Sequence, residues 1–141
     1  MYSGAIHAHR HTWKYPGKIH GIAVCDDVSY FTTELKRIQQ EFETRYNISL
    51  DLSNSEQVMD DNYVGTGYAL NTEKELRTLI QLAETEGLVL DPVYTLKAFI
   101  GMIDHIQKGI IKPGEKVLFI HTGGHYGLFP KSDELGNVLE L

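Results

Sequence analysis

Lys116-Val117-Leu118-Phe119-Ile120-His121-Thr122 runs without interruption into Gly123-Gly124. A short apolar run that begins after the Pro113-Gly114 turn and stops at a glycine pair reads as a core strand. Immediately before it, Asp91-Pro92 opens a helix, with Pro92 where its missing N–H costs little. Ala98, Phe99, Met102, Ile103 and Ile106 supply that helix with an inward face, and Gly109 ends it. Thr72 followed by Glu75 is a capping-box pattern that starts an earlier helix. Leu76, Leu79, Ile80 and Ala83 form its apolar side and Gly87 its end, and Leu88 to Leu90 is a short strand or a packed link.

Further towards the N-terminus, Lys18 to Cys25 (KIHGIAVC) lies between Pro16-Gly17 and Asp26-Asp27 and suits a buried strand. A helix follows, capped by Asp26 or Asp27, with Val28, Phe31, Leu35, Ile38, Phe42 and Tyr46 along one stripe. The polar stretch from Asn47 to Gln57 gives way to a short strand around Val58 and Met59. Strands and helices alternate, which predicts an α/β fold with a mostly parallel sheet flanked by helices. Ligands of such sheets sit beyond the carboxyl ends of the strands, which is where Thr122-Gly123-Gly124 falls. No repeat, linker or low-complexity tract divides the chain, so residues 1–141 read as a single α/β domain.

At 42% hydrophobic residues the chain can bury a real core, and its net charge of -6 is scattered, with no basic face for nucleic acid or an anionic membrane. No apolar run approaches the roughly 20 residues needed to span a bilayer. Cys25 is the single cysteine, so an internal disulfide is excluded and a reduced cytoplasm is the simplest expectation. His7, His9 and His11 invite a metal reading, but their spacing shares a face only in a strand and no cysteine or acidic cluster completes a site. No metal centre is expected there. Cys25 beside Asp26 and Asp27 is a poor nucleophile, because acidic neighbours deplete the thiolate. Glu84, Glu86 and Asp91 could be an acid–base set, but acids two apart on a helix diverge and suit a solvated helix end better. Gly65-Thr66-Gly67 lacks the third glycine of a dinucleotide fingerprint.

Three stretches carry a more specific signal: Gly65-Thr66-Gly67-Tyr68, Thr85-Glu86-Gly87-Leu88-Val89-Leu90-Asp91-Pro92-Val93-Tyr94-Thr95, and Val117 to Gly124. In order and spacing they resemble signature segments of the D-cysteine desulfhydrase and 1-aminocyclopropane-1-carboxylate deaminase family. The likeness covers Ile19 to Phe129 and includes the strand that leads into Asp26-Asp27. It implies the fold of the large cofactor-binding domain of fold type II pyridoxal-phosphate enzymes. It also implies a dimer or other homo-oligomer and a small amino-acid substrate.

By position, the resemblance implies that Tyr68 and Tyr94 reach the substrate side of the cofactor as catalytic residues. Thr95 and Thr122 would lie beside the ring nitrogen, Gly123 and Gly124 would let the backbone pass close to the ring, and Ser3 and Gly4 would be the tail of a phosphate loop. Threonines at positions 95 and 122, where the deaminases carry Glu and Leu, favour desulfhydrase chemistry, in which thiol is eliminated from a small amino acid to leave pyruvate and ammonia. Leu96 replaces a usual glycine, and His125 to Pro130 replaces a more apolar stretch, which leaves the substrate open. Relative to the family the chain reads as truncated: none of Lys14, Lys18, Lys36, Lys74, Lys97, Lys108, Lys112, Lys116 and Lys131 matches the Schiff-base lysine. The expectation is therefore pyridoxal phosphate in the complete enzyme and no activity from the chain alone, with binding of the cofactor to this chain by itself left open. A non-catalytic small-anion-binding module and an oligomerising interaction protein are the alternatives.

Overall fold

The computed structural model describes residues 17–50 and 57–140. The chain falls into two units, Met1–Asp61 and Asn62–Leu141. His7, His9, His11, Ser3 and Gly4 lie outside the described residues.

In the first unit, β1 (Ile19–Ile22) and β2 (Gln57–Asp60) are joined by α1 (Val28–Tyr46). The strands pair in parallel, from Ile19 opposite Gln57 to Ile22 opposite Asp60, and Ala23 N–H continues the ladder to the Asp60 carbonyl at 2.8 Å. Parallel neighbours need a crossover connection, and α1 lies in it. Its start is fixed twice: Asp27 accepts from Tyr30 N–H at 2.7 Å, and Asp61 accepts from Val28 N–H at 3.0 Å. Its end is a left-handed Asn47 at φ 52°. The expected stripe is present but uncovered, since Phe31 and Leu35 are half-buried while Ile38, Phe42 and Tyr46 are exposed.

The second unit contains α2 (Glu73–Glu86), α3 (Thr95–Gln107), a 3-10 segment (His125–Lys131) and α4 (Ser132–Leu139). The capping box forms as the sequence predicts: Thr72 Oγ1 accepts from Glu75 N–H at 3.2 Å, and Glu75 accepts from Thr72 N–H at 2.6 Å. Gly87 closes the helix at φ 64°, a conformation that costs glycine little. Thr72→Ala is expected to destabilise this unit by about 1 kcal/mol. Urea unfolding followed by circular dichroism checks this, and an unchanged midpoint would show that the box contributes nothing.

Leu79, Leu82, Leu90 and Leu96 form the core, with Phe99, Ile100, Phe119, Leu128 and Leu135 packed against it. Three expectations are corrected here. Helix α3 begins at Thr95 rather than at Pro92, because Asp91 takes up the N–H groups of Val93, Tyr94 and Thr95. Its most buried residues include Leu96, Lys97 and His105, whereas Ile103 and Ile106 of the expected inward face are exposed. Residues Lys116 to Thr122 pair with no described strand, so the described sheet has two strands. Phe119 still turns inward to meet Phe99 edge-on at 5.8 Å, while Leu118 and Ile120 on either side are exposed. The segment thus keeps the alternation of a strand without a neighbour to pair with among the described residues. Helix α4 was not foreseen from the sequence. Among the described residues no helix is long and apolar enough to cross a membrane.

Candidate functional site

Asp91 sits at the centre of the second unit. Its side chain is fully buried, and four donors converge on it. Oδ1 accepts from the N–H groups of Val93 (2.9 Å) and Tyr94 (2.7 Å), and Oδ2 accepts from Thr95 N–H (2.8 Å) and the Thr95 hydroxyl (2.5 Å). Asp91 N–H in turn donates to Thr95 Oγ1 at 2.9 Å. Burial alone pushes this carboxyl up, but the Thr95 hydroxyl and the three backbone N–H groups outweigh it and hold the group below the ordinary carboxylate value. The result is a buried anion at the start of α3, where the helix dipole also favours negative charge.

The same carboxylate supports the glycine corner. A Cβ on Gly124 would lie 2.9 Å from Asp91 Cγ, and the residue has φ 95°, so only glycine fits. Gly123, at φ 88°, has nothing within 4 Å of where a Cβ would stand; the backbone there faces open space. His121 and His125 stack at 4.8 Å, and their Nε2 atoms lie 3.2 and 2.9 Å from the Val89 carbonyl. Gly123 N–H donates to His121 Nδ1 at 3.0 Å, which assigns the proton to Nε2 for the bond to Val89. Gly127 packs against Pro92 and Val93.

The third stretch reaches the same place. Lys97, fully buried on α3, donates from Nζ to the carbonyls of Val64 (2.5 Å) and Gly67 (2.6 Å). Asn71 Nδ2 donates to the Pro92 carbonyl at 2.8 Å. Between these anchors the Tyr68 and Tyr94 hydroxyls are hydrogen-bonded to each other, with their rings edge-on at 5.9 Å. Both phenols are exposed, at 54% and 43%. Two paired hydroxyls on exposed rings can bind an anion or move a proton between them.

Of the residues singled out from the sequence, Tyr68, Tyr94, Thr95, Gly123 and Gly124 therefore lie on one connected framework. Thr122 is exposed beside Gly123. Thr95 differs from the expectation: it is 2% exposed and its one hydroxyl proton goes to Asp91, so it closes the helix cap rather than offering a free donor. Sequence reading missed Asp91 and Lys97 as the framework's centre. Asp immediately before Pro is a recognisable helix-start signal, but a lysine three residues into a helix reads as surface. Glu84 and Glu86 are exposed, as a solvated helix end requires. A shallow apolar groove of about 400 Å³ between α2 and α4, lined by Leu79, Ile80, Ala83, Glu84, Leu135 and Leu139, involves neither the two tyrosines nor the glycine corner.

No protein-family model matches the sequence. Among curated proteins, the mitochondrial bifunctional D-cysteine desulfhydrase/1-aminocyclopropane-1-carboxylate deaminase of Arabidopsis thaliana is 38% identical over 123 residues, which is 86% of this chain and 29% of that protein. A putative 1-aminocyclopropane-1-carboxylate deaminase of Thermotoga maritima is 43% identical over 109 residues, 75% of this chain and 32% of its own. Among solved structures, the crystal structure of an ACC deaminase homologue superposes with a TM-score of 0.76 at 29% identity, covering 98% of this chain and 42% of that one. The chain thus spans about a third of the length of these curated relatives.

Proposed function

Because the chain is homologous, over part of their length, to the 1-aminocyclopropane-1-carboxylate deaminases and D-cysteine desulfhydrases, we propose that it forms the substrate-side portion of a pyridoxal-phosphate-dependent lyase. The proposed reaction is desulfhydrase-like: a small amino acid of the D-cysteine type, with one water, gives hydrogen sulfide, pyruvate and ammonia. The observation that carries this reading is the convergence of three separate stretches, through Asp91 and Lys97, on the exposed Tyr68 and Tyr94 hydroxyls and the open Gly123 backbone.

The residues present fit the cofactor in part. Gly123 leaves room for a flat ring close to the backbone, and Thr122 has an exposed hydroxyl to turn towards a ring nitrogen. Thr95 does not offer a second one, because its proton is committed to Asp91. Bound pyridoxal phosphate supplies the electron sink for charge left at the substrate's α-carbon. The remaining work falls to the chain's own groups. Asp91 fixes the Tyr94 backbone by accepting its N–H, and the paired phenols orient a substrate carboxylate or hold a proton between the two oxygens. Gly124, pressed on Asp91, sets the path of Gly123 and Thr122.

Two experiments test this. In protein that also carries a Schiff-base lysine, Tyr94→Phe is expected to lower kcat by about 10² while cofactor affinity changes little; loss of thermal stability alone, with unchanged activity per folded molecule, would sink the assignment. The 141 residues by themselves, given pyridoxal phosphate and D-cysteine, are expected to release no sulfide above a cofactor-only control. The fully buried Lys97 is held by two carbonyls, which supports this, and sustained lysine-dependent turnover would contradict it.

Self-association is also proposed. In the first unit Ile38, Phe42 and Tyr46 are exposed, and in the second Leu118, Tyr126 and Phe129 are 85%, 86% and 73% exposed, apolar and aromatic side chains that a second copy would cover. Sedimentation equilibrium is expected to report a dimer, and a monomer at every dilution would refute this. A reduced cytoplasmic setting remains a proposal from the single cysteine, since the Arabidopsis relative is mitochondrial by name.

A further inference from the structure

We propose that Lys97 is the positioning residue of this site: its buried ammonium, bonded to the Val64 and Gly67 carbonyls, fixes the turn that brings the Tyr68 hydroxyl to that of Tyr94. The structural claim stands on the geometry, and its importance for catalysis rests on the function proposed above.

A charged group without solvent access must be hydrogen-bonded. Lys97 is fully buried, and Nζ meets two main-chain carbonyls at 2.5 and 2.6 Å. Those carbonyls bracket the turn that leads into Tyr68. The turn has little rigidity of its own, since Gly65 and Gly67 adopt φ 68° and 141°, conformations available to glycine because it is the least restrained residue. A Cβ on Gly65 would stand 3.2 Å from Glu75 Oε1 and 3.8 Å from Lys97 Nζ, so the ammonium lies directly under the turn.

Tyr94 is the residue just before α3, and Lys97 is in that helix's first turn. The phenol of Tyr94 and the ammonium that holds the Tyr68 turn therefore belong to one rigid element. Asp91 holds the same element from its other side by accepting Tyr94 N–H. Because Gly67 immediately precedes Tyr68, its bond to Lys97 acts on the backbone next to the ring it positions. Two exposed side chains gain little from a lone contact in water. Fixing both backbones on one helix lowers the entropy cost of bringing their hydroxyls together.

The test uses the 141-residue chain labelled at tyrosine Cζ, with the signals of Tyr68 and Tyr94 assigned by Tyr68→Phe and Tyr94→Phe. With Lys97 in place, Tyr94→Phe is expected to shift the Tyr68 signal beyond its linewidth. In Lys97→Met, with a dispersed amide spectrum as proof of folding, that response is expected to vanish. If Lys97→Met does not fold, Lys97→Arg is read in its place. It keeps a buried cation but presents a planar fork, and a reduced response is expected. An undiminished response in the folded variant overturns the proposal. So does failure of both variants to fold, which would make Lys97 a prop for the whole unit. No cofactor enters the measurement, so an intact phenol response here, beside unchanged turnover of Tyr94→Phe in protein that carries a Schiff-base lysine, would defeat the functional reading and leave Lys97's role standing.

Discussion

Asp91→Ala is expected to destabilise the Asn62–Leu141 unit by about 3 to 5 kcal/mol. The substitution leaves three N–H groups and the Thr95 hydroxyl without their acceptor. Each buried donor left unmet costs about 1 to 3 kcal/mol, less whatever water entering the cavity recovers. Urea unfolding followed by circular dichroism reads the change, and a loss below about 1 kcal/mol would show that the carboxylate is not the centre of the framework. The pH dependence has a definite sign. Because the folded carboxyl lies below its ordinary value, the unfolded chain binds the proton more readily. Asp91 therefore adds stability above an ordinary aspartate pKa of about 3.9, and this is lost as pH falls through the lower folded value. Asp91→Asn is expected to flatten the acid limb of the stability profile below about pH 4, and an unchanged limb would contradict the assignment.

Leu96→Gly is the second large effect, about 3 to 6 kcal/mol. Leu96 occupies a position where the resemblance leads one to expect glycine, yet its side chain is fully buried against Leu79, Leu82 and Leu90. Removing a core leucine down to Cβ costs about 2 to 5 kcal/mol through lost burial and the cavity left behind. A helical glycine adds up to about 1 kcal/mol. Thermal unfolding is expected to show a broad, early transition. A variant within about 1 kcal/mol of the parent would mean that neighbouring side chains collapse into the space and that Leu96 is not a core element.

Much of the fold was legible where the signal is local. Thr72 and Glu75 define the start of α2 because both partners of the box lie within four residues, and Gly87 marks its end by a conformation that other residues avoid. The parallel pairing of β1 and β2 followed from two apolar runs separated by a strongly periodic helix. What failed was non-local. Lys116 to Thr122 has the composition of a strand, but a ladder also needs a neighbour, and composition does not supply one. The stripe on α1 was legible as a stripe, but its lack of a cover was not, since periodicity reports which residues share a face and not what covers it. Helix α4, eight residues with Gly136 inside, carries too little pattern to announce itself.

The site divides in the same way. Tyr68 and Tyr94, 26 residues apart, were joined only through the family resemblance, since no local rule links two tyrosines at that distance. Asp91 was visible as a cap, but its burial beneath Gly124 depends on a segment some thirty residues further on. Lys97 illustrates the limit most plainly: in sequence it is one of nine lysines, and only the fold turns it towards two carbonyls.

The most direct test of the account is an amide-resolved NMR titration of the chain with pyridoxine 5′-phosphate, which has the cofactor's ring and phosphate but no aldehyde to react with surface lysines. The account predicts that Tyr68, Tyr94, Thr122, Gly123 and Gly124 shift together along one saturation curve, and that Asp91→Asn abolishes the common response. If those residues stay unmoved, or if the shifts gather at the Leu79, Ile80 and Leu139 groove, then the convergence of the three stretches is a feature of packing alone and the proposed function falls with it.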